Sequence, residues 1–136
     1  MNKVLKYGLP FAVTAVIMAL ILIWKAYYVK KHMREMTITF QIDMRKELMR
    51  GRPISTIALR GSEAPLNWHK DYPLADTNED GLYETTLVVK NPQELEYKFV
   101  ISGETVEWED GGNRRLPLPS NQDNLLLDHT WNQKDN

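Results

Sequence analysis

Cysteine is absent from this chain. Its absence removes disulfides, cysteine-held metal and a lipoprotein-type lipid attachment, and it suits a reducing or an oxidising compartment equally. Histidine is scarce: His32, His69 and His129 are spread over the stem, a loop and the C-terminal segment, and each is expected to be solvated. Catalysis needs a base beside a nucleophile, or opposed carboxylates in a cleft, and little here can build either. A basic excess is also missing. The net charge is −1, and because residues 1–35 carry six Lys or Arg against one Glu, the remainder stands at −6. So acidic a segment is a poor partner for nucleic acid, whose protein affinity rests on neutralised phosphates. Internal repeats and low-complexity tracts are absent.

What is present begins with an uncharged run from Tyr7 to Trp24. About 18 apolar residues is near the lower limit for crossing a bilayer core. Lys25 interrupts the pattern, but a lysine near a helix end snorkels to the headgroups while Ala26, Tyr27, Tyr28 and Val29 extend the span to residues 7–29. Trp24, Tyr27 and Tyr28 fall where aromatic belts form. A cleaved signal peptide is the alternative, since Lys3 and Lys6 precede the apolar core. The core is long for a signal and no small-x-small cleavage site comes after it, which favours a retained single-pass anchor. Orientation stays open. Lys25, Lys30, Lys31 and Arg34 outweigh Lys3 and Lys6 and would hold the C-terminal side in the cytoplasm, whereas a short basic start commonly exports the segment beyond the anchor to an extracytoplasmic side.

The chain therefore divides into a membrane anchor with a basic stem, residues 1–35, and one domain over residues 36–136. Thr37 to Asp43 alternates, with Ile38, Phe40 and Ile42 on one face of a strand. Met44 to Arg50 predicts one helical turn, stopped by Gly51-Arg52-Pro53, and a strand through Ile57 and Leu59 ends at Gly61. Glu63 to Pro73 reads as a loop. Asp80-Gly81 turns the chain into a strand over Leu82 to Val89, and Asn91-Pro92 turns it again. Leu95 to Ile101 is the next strand, with Tyr97, Phe99 and Ile101 on one face and Glu96, Lys98 and Val100 on the other. A hairpin at Ser102-Gly103-Glu104 leads to Thr105–Glu109. Leu116 and Leu118 alternate with prolines as in an edge strand, and Asn124 to Trp131 is last. Short strands at this spacing predict an all-β fold, an immunoglobulin-like antiparallel sandwich of about 7–8 strands behind one transmembrane helix.

Two motifs resemble chemistry without completing it. Asp76 to Gly81 imitates the start of a calcium loop, but the twelfth position is Leu87 and no helices flank it, so a hydrogen-bonded turn is expected and no metal or other cofactor is assigned. Glu107 and Glu109 flank Trp108 on one strand face, expected to be a solvated one. The aromatics say more. Trp68 lies between Asn67 and His69, and Trp108 among Glu107, Glu109 and Asp110. Large aromatics near water mark binding surfaces, the alternative being that each folds back to cap the core.

Thr37-Ile38-Thr39-Phe40, Leu59-Arg60-Gly61-Ser62, Leu66-Asn67-Trp68, Asp80-Gly81-Leu82-Tyr83-Glu84, Glu96-Tyr97-Lys98-Phe99-Val100, Val106-Glu107-Trp108-Glu109, Gly112-Asn113-Arg114 and Thr130-Trp131 succeed one another in the order of a known family. The segment resembles a starch-binding domain, carbohydrate-binding module family 20. The resemblance implies binding of α-1,4-glucans such as starch or glycogen, with Trp68 and Trp108 as stacking platforms and Lys98, Glu96 and Asn113 bonding to sugar hydroxyls. For the family's second site Tyr83 matches one aromatic, but Met49-Arg50-Gly51-Arg52 occupies the place of the other. The function so implied is non-catalytic: a single-pass membrane protein holding α-glucan near the bilayer. A protein-interaction module on the same sandwich, docking a protein partner in a membrane complex, is the competing class.

Overall fold

The computed structural model describes residues 9–31, 34–90, 94–117, 119 and 121–133. Lys3, Lys6, Tyr7, His32, the Asn91-Pro92 turn and Leu118 lie outside them. The chain divides into two compact units, Met1–Met33 and Arg34–Asn136.

The first unit is the helix α1, Leu9–Lys31. Pro10 sits in its first turn, where a missing N–H leaves no hydrogen bond unmade. Apolar side chains go all the way round: Val16, Ile17, Leu20, Ile21, Leu22 and Ile23 are all exposed. Among the described residues this is the one helix long and apolar enough to cross a membrane, by length and composition. Its 23 residues would reach about 34 Å. Trp24 and Tyr28, one turn apart, stack at 5.3 Å between centroids.

The second unit is a two-sheet sandwich. Its elements are β1 (Glu35–Asp43), α2 (Arg45–Met49), β2 (Thr56–Gly61), β3 (Tyr72–Leu74), β4 (Leu82–Lys90), β5 (Glu94–Ser102), β6 (Val106–Trp108), β7 (Arg114–Pro117) and β8 (Asn124–Thr130). One sheet runs β4-β1-β8 and the other β3-β2-β5-β6, with β7 also on β5. Period-two alternation explains the layering, since Met36, Ile38, Phe40 and Ile42 of β1 are buried against Ile57 and Leu59 of β2 and Tyr97, Phe99 and Ile101 of β5. Phe40 and Tyr97 join the two layers edge to face at 4.9 Å.

The expected sandwich forms, with one pairing outside the expectation: β1 and β8 run parallel. The loop from Glu63 also ends early, because Tyr72 and Pro73 pair with Leu59 and Ala58 of β2. Asp76 closes the turn before β4 by accepting the N–H of Asp80 at 3.1 Å and of Gly81 at 2.8 Å. Gly81 has φ +83, and a Cβ there would stand 2.5 Å from Cγ of Arg45.

Two expectations about polar residues need correction. Glu109 is not on a solvated face with Glu107 but is buried, 1% exposed. Because Trp108 faces outward opposite Val100, the same alternation turns its neighbour Glu109 inward, in register opposite the buried Phe99. Its N–H donates to the Phe99 carbonyl and its Oε1 accepts the Phe99 N–H, both at 3.1 Å, while Arg114 meets it in a buried ion pair at 2.8 Å. Glu107 stays exposed and pairs with Arg52. His129 is likewise half-buried rather than solvated, bonded through Nε2 to the Tyr97 hydroxyl at 2.9 Å and edge-on to Phe99 at 5.4 Å. His69 is exposed, as expected.

Candidate functional site

The outer face of the five-stranded sheet collects most of the residues singled out by sequence. The alternation that buries Tyr97 and Phe99 turns Glu96 and Lys98 of β5 outward. Trp108 stands opposite Val100, on the same outer face, and Arg60 of β2 stands opposite Lys98. Two cations directly across a ladder repel one another, and these two diverge. Lys98 donates from Nζ to the Gly111 carbonyl at 2.7 Å. Arg60 turns the other way, giving Nε to Asp71 at 2.8 Å, Nη2 to the same oxygen at 2.7 Å and Nη1 to the Trp68 carbonyl at 3.4 Å.

That divergence frames the aromatic pair. The loop after β2 brings Trp68 to 6.4 Å from Trp108 between centroids, the ring planes 41° apart. Gly61 lets this loop leave close to β5, for a Cβ there would lie 2.7 Å from the Glu96 carbonyl. Trp108 is 39% exposed and Trp68 half-buried. The Arg60 guanidinium lies 5.2 Å over the Trp108 ring. Burial pushes the Asp71 carboxyl up, but the hydrogen bond from Ser102 and the Arg60 guanidinium outweigh it and hold Asp71 below its ordinary value.

On the other flank, Glu96 accepts Asn113 Nδ2 on Oε2 at 3.1 Å and Arg115 Nη2 on Oε1 at 3.0 Å. Lys98 and Glu96 thus tether the Gly111–Asn113 turn from both ends. The fold therefore gathers Trp68, Trp108, Lys98, Glu96 and Asn113 around one sheet face. Tyr83 is elsewhere: it lies in β4 of the other sheet, opposite Ile42, and packs inward against the core. Met49 and Arg50 end α2 without an aromatic beside them in sequence, Met49 being 83% exposed.

Chemically the face is a pair of tilted apolar platforms rimmed by ammonium, carboxylate and amide. A pyranose offers a matching C–H face and hydroxyl rim. Among the described residues no group of His, Asp and Glu could hold a metal ion. Sequence reasoning gave no role to Arg60 or Asp71. Strand alternation marks Arg60 as outward, but its position against Lys98 and Trp108 is a matter of register.

The starch-binding domain profile matches residues 35–126, more than half of the chain. This protein belongs to that family. The module is non-catalytic and carbohydrate-binding. Among solved structures, a glycoside hydrolase family 15 glucoamylase from Hypocrea jecorina superimposes with a TM-score of 0.54 at 20% identity, over 73% of this chain and 17% of that one. The Hormoconis resinae glucoamylase gives 0.55 at 19%, over 72% and 17%. The family 20 module of a maltotetraose-forming amylase from Pseudomonas saccharophila STB07 gives 0.51 at 19%, over 70% of this chain and 99% of the module. The chain thus spans a small part of the glucoamylases and nearly all of an isolated module, and what it shares with them is the sandwich. A comparison with curated proteins returns no significant match.

Proposed function

We propose that this protein is a membrane tether for α-1,4-glucan, with α1 as a single-pass anchor and the sandwich as a binding module for starch or glycogen chains. The observation that carries the reading is the tilted Trp68–Trp108 pair beside Lys98, on an open face of a starch-binding fold. Platforms set at an angle suit a curved α-glucan better than a flat β-linked ribbon. Trp108 remains 39% exposed, as a stacking surface must and a core-capping indole need not. The face is shallow and open, so each module is expected to bind weakly and to gain by repeated attachment along a polymer. Anchored at the membrane, it would hold glucan there without turning it over.

The test uses the full chain in polyoxyethylene detergent, since a maltoside headgroup would itself present α-linked glucose. Electrophoresis through a native gel containing amylopectin should retard the wild type, and Trp108→Ala should migrate as in a gel without polysaccharide. A folded wild type that is not retarded would sink the sugar reading. Reporter fusions at the C-terminus, read on both sides of the membrane, assign the orientation.

A further inference from the structure

Arg60 reaches the backbone of Trp68 and the ring of Trp108. Its side chain is only 13% exposed, so its contacts are made largely out of water, where charge-assisted hydrogen bonds and cation–aromatic attraction gain strength. One guanidinium edge holds Asp71 and the Trp68 carbonyl, which brackets the turn carrying Trp68. The guanidinium carbon lies over Trp108, 5.2 Å from the ring centroid. Other ties within residues 66–70 are local, an Asn67–Lys70 bridge and the His69 N–H on Asn67 Oδ1, together with Leu66 buried beneath. Those ties shape the turn but do not reach β6. Ala58 and Val100, although on the outer face, are fully buried, so the layer of Arg60 and Trp108 above them is packed and not merely draped there.

We propose that Arg60 is the positioning residue of the glucan site: it sets the spacing and tilt of Trp68 against Trp108 and covers one face of Trp108, leaving the other for sugar. This deepens the carbohydrate reading and rests on it for the choice of ligand. A lysine would not substitute, because a point charge can neither lie flat on an indole nor fork between a carboxylate and a carbonyl.

The test has one arm that needs no sugar. Two indoles at this separation couple excitonically and give a paired circular dichroism band, identified as theirs by its loss in Trp68→Phe. In full-length protein in polyoxyethylene micelles, Arg60→Leu should collapse the paired band while the sheet signal persists. It should also weaken maltoheptaose binding about tenfold by calorimetry, the order expected for losing a desolvated cation–aromatic contact and its hydrogen bonds. Arg60→Lys should resemble Arg60→Leu in both arms. Should Arg60→Leu fail to fold, Asp71→Asn, which keeps the guanidinium but loosens its anchor, should shift the band in the same direction. A band and an affinity unchanged in Arg60→Leu overturn the inference while leaving the sugar site intact. A band that depends on Arg60, in a wild type that binds no maltoheptaose, upholds the positioning role and rejects the ligand.

Discussion

Glu109→Gln replaces a buried carboxylate by an amide of the same shape and leaves Arg114 buried without its counter-ion. The two side chains are almost wholly buried, 0% and 5% exposed, and meet at 2.8 Å. Removing one partner of such a pair typically costs about 3–5 kcal/mol, because the survivor's charge stays out of water. Arg114 keeps other acceptors, the carbonyls of Gln133 at 2.6 Å and Thr130 at 3.3 Å, and its cation lies over Phe99. The lower end of the range, about 3 kcal/mol, is therefore expected. For a domain of this size that corresponds to a fall in Tm of roughly 12–24 °C. Thermal melts of the full chain in polyoxyethylene micelles, monitored by tryptophan fluorescence, measure it. A loss below about 1 kcal/mol would refute the reasoning, since that is the scale of an exposed pair. The double variant Glu109→Leu with Arg114→Met should recover part of the stability, as buried pairs exchanged for apolar residues commonly do, less the cost of the Phe99 N–H left without its acceptor. Its retardation by amylopectin should nonetheless stay impaired, because Glu109 bonds the Phe99 N–H and thereby seats the segment between Trp108 and Asn113.

Phe40→Ala, at a fully buried position in edge contact with Tyr97, should cost about 3–5 kcal/mol in urea denaturation and leave the domain near its unfolding limit. Gly81→Ala should cost more than the roughly 1 kcal/mol of an ordinary left-handed glycine site, because its Cβ would also strike Arg45; chemical denaturation reads the difference. Asp43, lowered chiefly by its hydrogen bond with Arg45, and Asp71, where the upward push of burial is outweighed by Ser102 and Arg60, both favour the folded state when ionised. A depressed folded pKa contributes stability that is present above the unfolded value and lost as pH falls through the folded one, so these two contributions should be constant from about pH 8 to 6 and decline below about pH 4. Asp71→Asn should flatten part of that decline, measured as urea midpoints against pH.

The strands were legible because a two-residue period needs no knowledge of neighbours: Ile38, Phe40 and Ile42 had to share a face whichever strands lay alongside. An unbroken apolar run declares a helix fit for lipid for the same local reason. Trp68 and Trp108 stood out because large aromatics among polar residues are conspicuous in one dimension. Pairing is not local, and the parallel β1–β8 contact, Arg60 across from Lys98, and Tyr83 turned inward opposite Ile42 all depend on register. Glu109 is the sharpest case. Sequence placed it one step beyond Trp108 on a solvated strand, but the register faces Trp108 outward opposite Val100, so the next residue falls on the inner face opposite Phe99, where Arg114 of β7 meets it. The sequence by itself determined which residues want water and which do not. Tertiary structure decided which polar groups meet, because a hydrogen bond or an ion pair depends on a few ångströms between segments far apart in the chain.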